Sequence, residues 1–312
     1  MIGGAEIEAA GDWPALVNAL AAAHRGPRAQ LDDLLLRAGE DAWLNRAAWI
    51  EGDALGLKSV TIFPGNTART PPLPSINGVM MVFDGQTGEI EAALDGAALT
   101  VWKTVADSAL GVRQLARDEA EDLLIVGAGT IARRAPEAFL AVRPGLKRIR
   151  LWNRTRERAE EAVAALRERG IAGEVAGDLE AAVRAADIIS CATMSTEPVI
   201  RGDWLKAGAH LDLIGAYRPD MREADDTALT RGRLFVDRRD TTIGEIGELI
   251  IPMESGMISQ GDVLADHYDL ARGAAGRAGP DDITIFKNGG GAHLDLMTAR
   301  FFMNRLAESG DG

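Results

Sequence analysis

Cysteine is almost absent from this chain: 312 residues contain one, Cys191. A lone thiol excludes an intrachain disulfide, and its neighbours Ile188, Ile189 and Ala192 predict a buried strand position. No stretch approaches the ~20 apolar residues needed to cross a bilayer, and no basic segment followed by an apolar one opens the chain. A reducing, cytoplasmic setting is therefore expected, with no membrane partner. Runs of lysine or arginine are also missing, and the formal net charge is −13, which disfavours a nucleic-acid or anionic-membrane surface. The four histidines, His24, His210, His267 and His293, lack the spacing of a metal site, so no metal is expected. His293 lies near a glycine cluster and is read first as a hydrogen-bonded structural residue, with a cofactor or substrate contact as the alternative. Neither an internal repeat nor a low-complexity linker is evident.

What is present begins at Asp122. Leu123, Leu124, Ile125 and Val126 form a short apolar run fit for a buried parallel strand, and Gly127-Ala-Gly129-Thr-Ile-Ala132 follows at once. This GxGxxA turn is in the context it needs, since a helical stretch and the strand Arg148–Trp152 come next. Gly127 allows the tight turn, Gly129 lets the backbone approach a pyrophosphate, and Ala132 permits close helix packing. The first helical residues, Thr130 and Ile131, offer free N–H donors there. A dinucleotide site is predicted, with Thr193 and Met194 after a later strand as further contacts.

The end of the second strand addresses which dinucleotide. An NAD site usually places an acidic residue there for the ribose hydroxyls, but this chain has Asn153-Arg154-Thr155, with Arg158 behind. Arg154 or Arg158 can pair with a 2′-phosphate, and Asn153 and Thr155 are neutral donors. NADPH is the preferred cofactor on this reading and NADH a possible one. The competing explanation is that the arginines simply begin a surface helix.

Before that unit, residues 12–24 predict a helix with a proline near its start. Short apolar segments follow at Asp32–Arg37, Ala42–Ile50, Gly56–Phe63, Asn77–Phe83 and Glu89–Leu94, the pattern of a mostly antiparallel sheet. The turn Asp84–Gly88 signals a hairpin. A long helix is expected over 97–117. Strands alternating with helices over 122–237 predict a doubly wound parallel sheet. The fold class is thus α/β, a Rossmann-type sheet plus an α+β substrate-binding and dimerisation domain. The expected domains are 1–112 with 282–312, the tail strand Ile283–Phe286 and final helix rejoining the first domain, and 113–281 for the nucleotide.

In this order the elements resemble the ornithine cyclodeaminase/μ-crystallin family. The carriers are Gly56-Leu-Lys58-Ser-Val-Thr-Ile-Phe-Pro64-Gly-Asn66, Leu73-Pro-Ser75, Val82-Phe-Asp84 with Thr87-Gly88, Leu99-Thr100, Lys103-Thr104, the GxGxxA turn, Gly215-Ala216, and Gly289 to Asp295. The resemblance implies a homodimer, an active-site lysine at Lys58 beside the substrate carboxylate, and a pocket hydroxyl at Ser75. It also implies a carboxylate clamp at Lys103, where most members carry arginine; lysine keeps the charge but loses the bidentate fork. A further arginine is expected from the N-terminal half, with Arg28, Arg37 and Arg46 as candidates.

The largest departure follows Gly215-Ala216, where cyclodeaminases and alanine dehydrogenases of the family usually carry aspartate and this chain has Tyr217. Asp220 and Glu223 are the nearby carboxylates, in a segment expected to continue as a loop. A cyclodeaminase needs proton transfer at two nitrogens, whereas an imine reductase performs only the last half of that reaction. The expectation is therefore NAD(P)H-dependent reduction of a small cyclic imino acid, Δ1-pyrroline-2-carboxylate or its six-membered homologue. The alternatives are an ornithine or lysine cyclodeaminase, a non-catalytic NADPH-binding protein, and an opine-like or alanine dehydrogenase.

Overall fold

A computed structural model describes residues 1–310. The chain divides into two units, Met1–Lys103 with the segment from Gly291 onward, and Thr104–Gly290.

The first unit opens with the short helix α1 (Gly4–Ala9) and α2 (Trp13–Ala23). Asp12 starts α2 by accepting the Ala15 N–H at 3.0 Å, and Leu16, Val17 and Leu20 form its buried stripe. Five strands follow in a sheet whose spatial order is their chain order: β1 (Gln30–Ala38), β2 (Asp41–Ile50), β3 (Ala54–Ile62), β4 (Ile76–Asp84) and β5 (Ile90–Asp95). Every neighbouring pair is antiparallel. The β4–β5 hairpin is set by Asp84, whose Oδ1 accepts the N–H groups of Gln86 and Thr87, while Gly88 takes a φ of 74°. Helix α3 (Gly96–Leu115) contributes residues to both units.

The second unit contains β6 (Asp122–Val126), α4 (Thr130–Val142), β7 (Arg148–Trp152), α5 (Arg156–Glu168), β8 (Glu174–Val175), α6 (Leu179–Ala185), β9 (Ile188–Cys191) and β10 (His210–Leu213). It continues through α7 (Asp226–Arg231), β11 (Arg233–Val236), α8 (Arg239–Thr242), α9 (Gly247–Glu254), β12 (Val263–Ala265), α10 (His267–Ala271) and β13 (Thr284–Lys287). Its eight strands are ordered β12-β11-β13-β10-β9-β6-β7-β8, and their pairings are parallel. Because β6 has β7 on one side and β9 on the other, the chain order reverses beside β6. Such a switch point is where open parallel sheets bind ligands. The last helix, α11 (Ala292–Gly310), returns to the first unit and packs on β2, β3, β4 and α2.

The boundaries differ from those expected at 112/113 and 281/282. The strand at 284–287 does not rejoin the first unit: β13 lies between β10 and β11 in the parallel sheet. The C-terminal part of α3 goes with it, since Leu115 packs with Phe235, Ala265 and Phe286, and a Cβ on Gly111 would meet the Phe286 ring at 2.8 Å. No helix among the described residues is long and apolar enough to cross a membrane.

Candidate active site

In the parallel unit, strand β6 delivers Gly127 with φ 123°, a conformation open to glycine and costly for other residues. A Cβ there would also strike the Ala192 carbonyl at 2.5 Å. Gly129 is the N-cap of α4, and a Cβ on it would meet nothing within 4 Å. That open space lies over the N-terminus of a 13-residue helix, where Thr130 and Ile131 carry N–H groups without intrahelical acceptors. The cradle therefore fits a dinucleotide pyrophosphate. At the end of β7, Arg154 and Arg158 are exposed and make no ion pair among the described residues, whereas Arg156 pairs with Glu160 at 2.9 Å. Asn153 donates its Nδ2 to the Thr155 carbonyl, and no carboxylate stands at 153–155.

After β9, Met194 is 73% exposed, and the backbone N–H and hydroxyl of Thr193 both donate to Glu223 Oε1, at 2.7 and 2.8 Å. Tyr217 is exposed. Asp220 is engaged with Arg218 through two hydrogen bonds at 2.8 and 2.9 Å, which hold its carboxyl below the usual range. Glu223 is buried. Its Oε2 accepts from the Gly215 N–H, so both oxygens are occupied by donors. Both carboxylates are thus engaged by partners close to them in the fold. Cys191 is a buried strand residue whose thiol is pushed well up by burial and the carboxylates beside it.

In the antiparallel unit, Lys58 is nearly buried on β3. Its ammonium donates to Thr100 Oγ1 at 2.5 Å and to Asp295 Oδ1 at 2.9 Å. Thr100 in turn donates to the Gly96 carbonyl, which fixes its hydroxyl as an acceptor for the lysine. Lys103, one helical turn beyond Thr100 on α3, is also buried. Asp295 lies in the first turn of α11 and is fully buried, with its Oδ2 unbonded among the described residues. Burial alone would raise its pKa, but Lys58, then Lys103, and also Arg46 outweigh burial and hold it below the ordinary value.

The β2–β3 register puts Arg46 directly opposite Lys58, so their side chains share a face. This singles out Arg46 among the three candidate arginines; Arg28 and Arg37 are exposed. Arg46 also pairs with Asp33 at 2.9 Å, a partner that is 43% exposed. Lys58, Lys103 and Arg46 thus all act on one buried carboxylate. Ser75 is placed elsewhere: it precedes β4 by one residue, and Met80, the partner of Lys58 on β4, lies five positions on, about 17 Å along a strand. Arg46, Thr100 and Asp295 were not resolved as site residues by sequence reasoning, because pairing across strands and helices leaves no periodic signal. His293 is buried with its ring 5.9 Å from that of His24.

A family model described as "Ornithine cyclodeaminase/mu-crystallin family" matches residues 46–310. The chain belongs to this family. Among curated relatives, a Delta(1)-pyrroline-2-carboxylate reductase of Paracoccus denitrificans is 48% identical over 298 residues, covering 95% of this chain and 93% of the relative. Among solved structures of the same fold, the Delta(1)-pyrroline-2-carboxylate reductase of Thermococcus litoralis, in complex with NADH and L-proline, aligns with a TM-score of 0.90 at 26% identity. That alignment covers 99% of this chain and 98% of the other. An archaeal alanine dehydrogenase, a dimer with bound NAD, aligns equally well, with a TM-score of 0.90 at 26% identity over 99% and 96% of the two chains.

Proposed function

We propose that this chain reduces a cyclic imine carboxylate with a nicotinamide dinucleotide, Δ1-pyrroline-2-carboxylate to L-proline being the best-fitting reaction. The six-membered homologue differs by one methylene, worth only ~1–3 kcal/mol of discrimination, so it is an expected second substrate. The observation that carries the reading is the convergence of Lys58, Lys103 and Arg46 on Asp295, which gathers cationic side chains where one small carboxylate would be held. The relatives' names and the pyrophosphate cradle at Gly127 and Gly129 support it.

The dinucleotide, when bound, supplies the hydride. The chain's own residues do the rest. Lys103 and Arg46 neutralise the substrate carboxylate and orient the ring, and orientation accounts for much of the rate effect. Lys58, directed by Thr100 and Asp295, is the proton donor toward the ring nitrogen. Ser75, which the family resemblance assigns to the pocket, is given no step here, because it lies about 17 Å along the strand from the partner of Lys58. Tyr217, the paired Asp220 and the enclosed Glu223 leave no free carboxylate after Gly215-Ala216, which favours reduction alone over cyclisation of ornithine.

Two finer points belong to the same reading. NADPH is the preferred cofactor, with Arg154 and Arg158 on its 2′-phosphate and Asn153 and Thr155 as neutral neighbours. The assembly is a homodimer: Leu34, Leu36, Trp43 and Trp49 lie on one face of the antiparallel sheet, away from Lys58, and each is about half exposed. An apolar sheet face of this kind suits a second copy.

The test is oxidation of NADPH and NADH with Δ1-pyrroline-2-carboxylate, run beside ornithine without added reductant. Imine-dependent oxidation is expected. Ammonia release from ornithine with no imine reduction would overturn the proposal.

A further inference from the structure

Glu223 is a fully buried carboxylate that the mechanism above does not use. It follows Pro219-Asp-Met-Arg, outside any helix or strand, yet both of its oxygens are held by donors. Oε1 accepts the N–H and hydroxyl of Thr193, and Oε2 accepts the N–H of Gly215 at 2.6 Å with that of Ala216 at 3.4 Å. Its own N–H, and that of Ala224, are gripped by the buried Glu248 at 2.7 and 2.9 Å. The two segments it joins leave the carboxyl ends of β9 and β10, adjacent parallel strands beside the switch point. They also touch each other: a Cβ on Gly215 would lie 1.8 Å from the Thr193 carbonyl oxygen and 2.7 Å from Glu223. Met194 and Tyr217, the next residues of these two segments, are exposed.

The pyrophosphate cradle at Gly127 abuts the same place, since Ala192 is the residue a Cβ there would strike. A dinucleotide anchored on α4 therefore extends its nicotinamide half toward the ends of β9 and β10. We propose that Glu223 is a positioning residue that locks the Thr193–Met194 and Gly215–Ala216 segments into the surface receiving the nicotinamide half of the cofactor. It acts through backbone N–H groups rather than by touching the substrate. The proposal rests on the dinucleotide-dependent reading above. A carboxylate is needed because both oxygens must accept; an amide at this position would turn one N–H₂ toward N–H donors.

The test uses the full chain with Glu223→Gln and Glu223→Asp. The probes are whichever of NADPH or NADH binds the wild type more tightly, and the matching ADP-ribose fragment, which lacks nicotinamide. Glu223→Gln is expected to weaken the whole dinucleotide about tenfold or more, as loss of charge-assisted bonds implies, while the fragment binds within about twofold of wild type. The substitution should also lower kcat more than it raises KM for the imine. Glu223→Asp, which keeps both acceptors on a shorter stem, should recover part of the loss, and it serves as the readout if the glutamine variant fails to fold. Equal weakening of dinucleotide and fragment, or no change in either, would overturn the proposal. Failure of the wild type to reduce any imine would overturn the function while the ratio of affinities still reports on Glu223.

Discussion

The two units differ in what meets their buried carboxylates. In the antiparallel unit Lys58 and Lys103 are buried with Arg46 beside them, and all three act on one buried carboxylate, Asp295. In the parallel unit the buried groups include several acids, and donors are supplied within the unit: Asp212 receives the Ser108 and Ser190 hydroxyls, Asp237 the Gly290 N–H and Thr242 hydroxyl, and Glu223 and Glu248 backbone N–H groups. Carboxylates met by hydroxyl and N–H donors hold a scaffold in shape, whereas cations gathered around one carboxylate suit the proposed binding of a small anion. On the proposed reading the parallel unit would instead meet its anionic ligand with backbone at Gly129 and α4.

Removing a cation from the first cluster should therefore have the largest effect. Lys58→Met is expected to lower kcat/KM for the imine by about a hundredfold to ten-thousandfold, the range for losing a positioned proton donor. It also strands Asp295, so Lys58→Met with Asp295→Asn should be more stable than Lys58→Met alone in thermal melts. Wild-type turnover in the single variant would remove Lys58 from the site.

A smaller effect is expected from replacing Arg154 and Arg158 together by serine. KM for NADPH should rise about tenfold to a hundredfold with NADH kinetics nearly unchanged, since charge-assisted bonds to one phosphate are lost. A parallel loss for both cofactors would assign the arginines another role. Trp43→Glu addresses the open sheet face: light scattering should report a monomer where the wild type is a dimer, and an unchanged mass would exclude that face as the interface.

The smallest effect concerns the buried acids of the parallel unit. Burial, only partly offset by the Ser190 and Ser108 hydroxyls, pushes Asp212 up to about 7 from 3.8. The folded state then keeps a proton that the unfolded chain has already released, so this group's contribution to stability falls as pH rises from about 4 to about 7. His210 and His267 act in the other direction. Burial drives them down to about 3 and about 4, so the unfolded chain takes up protons below about 6.5 and stability falls as pH drops. Asp212→Asn should isolate the acid's share: relative to wild type, its Tm should gain a few degrees more at pH 8 than at pH 5. A pH-independent difference would show that Asp212 is not protonated in the folded state.

The comparison also explains what the sequence could carry. The five antiparallel strands and the β6–turn–α4 cradle were legible because their signals are local, alternation in one case and glycine spacing in the other. The segment from Arg239 to Ala271 was not: its helices run four to eight residues, and β12 spans three, too short for a period to emerge. Strand β13 was recognised as a strand but assigned to the wrong unit, since periodicity does not say which sheet receives an apolar run. Lys58 was flagged through its flanking motif. Asp295 lies 237 positions away on another helix and is tied to it by one contact. Glu223 read as part of a loop because its hydrogen bonds are to backbone atoms of segments that only folding brings together.

The central claim, that the cations around Asp295 await a carboxylate, is tested most directly by ligand pairs differing only there. Calorimetric titration of the dinucleotide-loaded chain with L-proline and with L-prolinamide should show binding of the acid and little or none of the amide, with the difference shrinking sharply in Lys103→Met. Equal affinity for the two ligands would contradict the account.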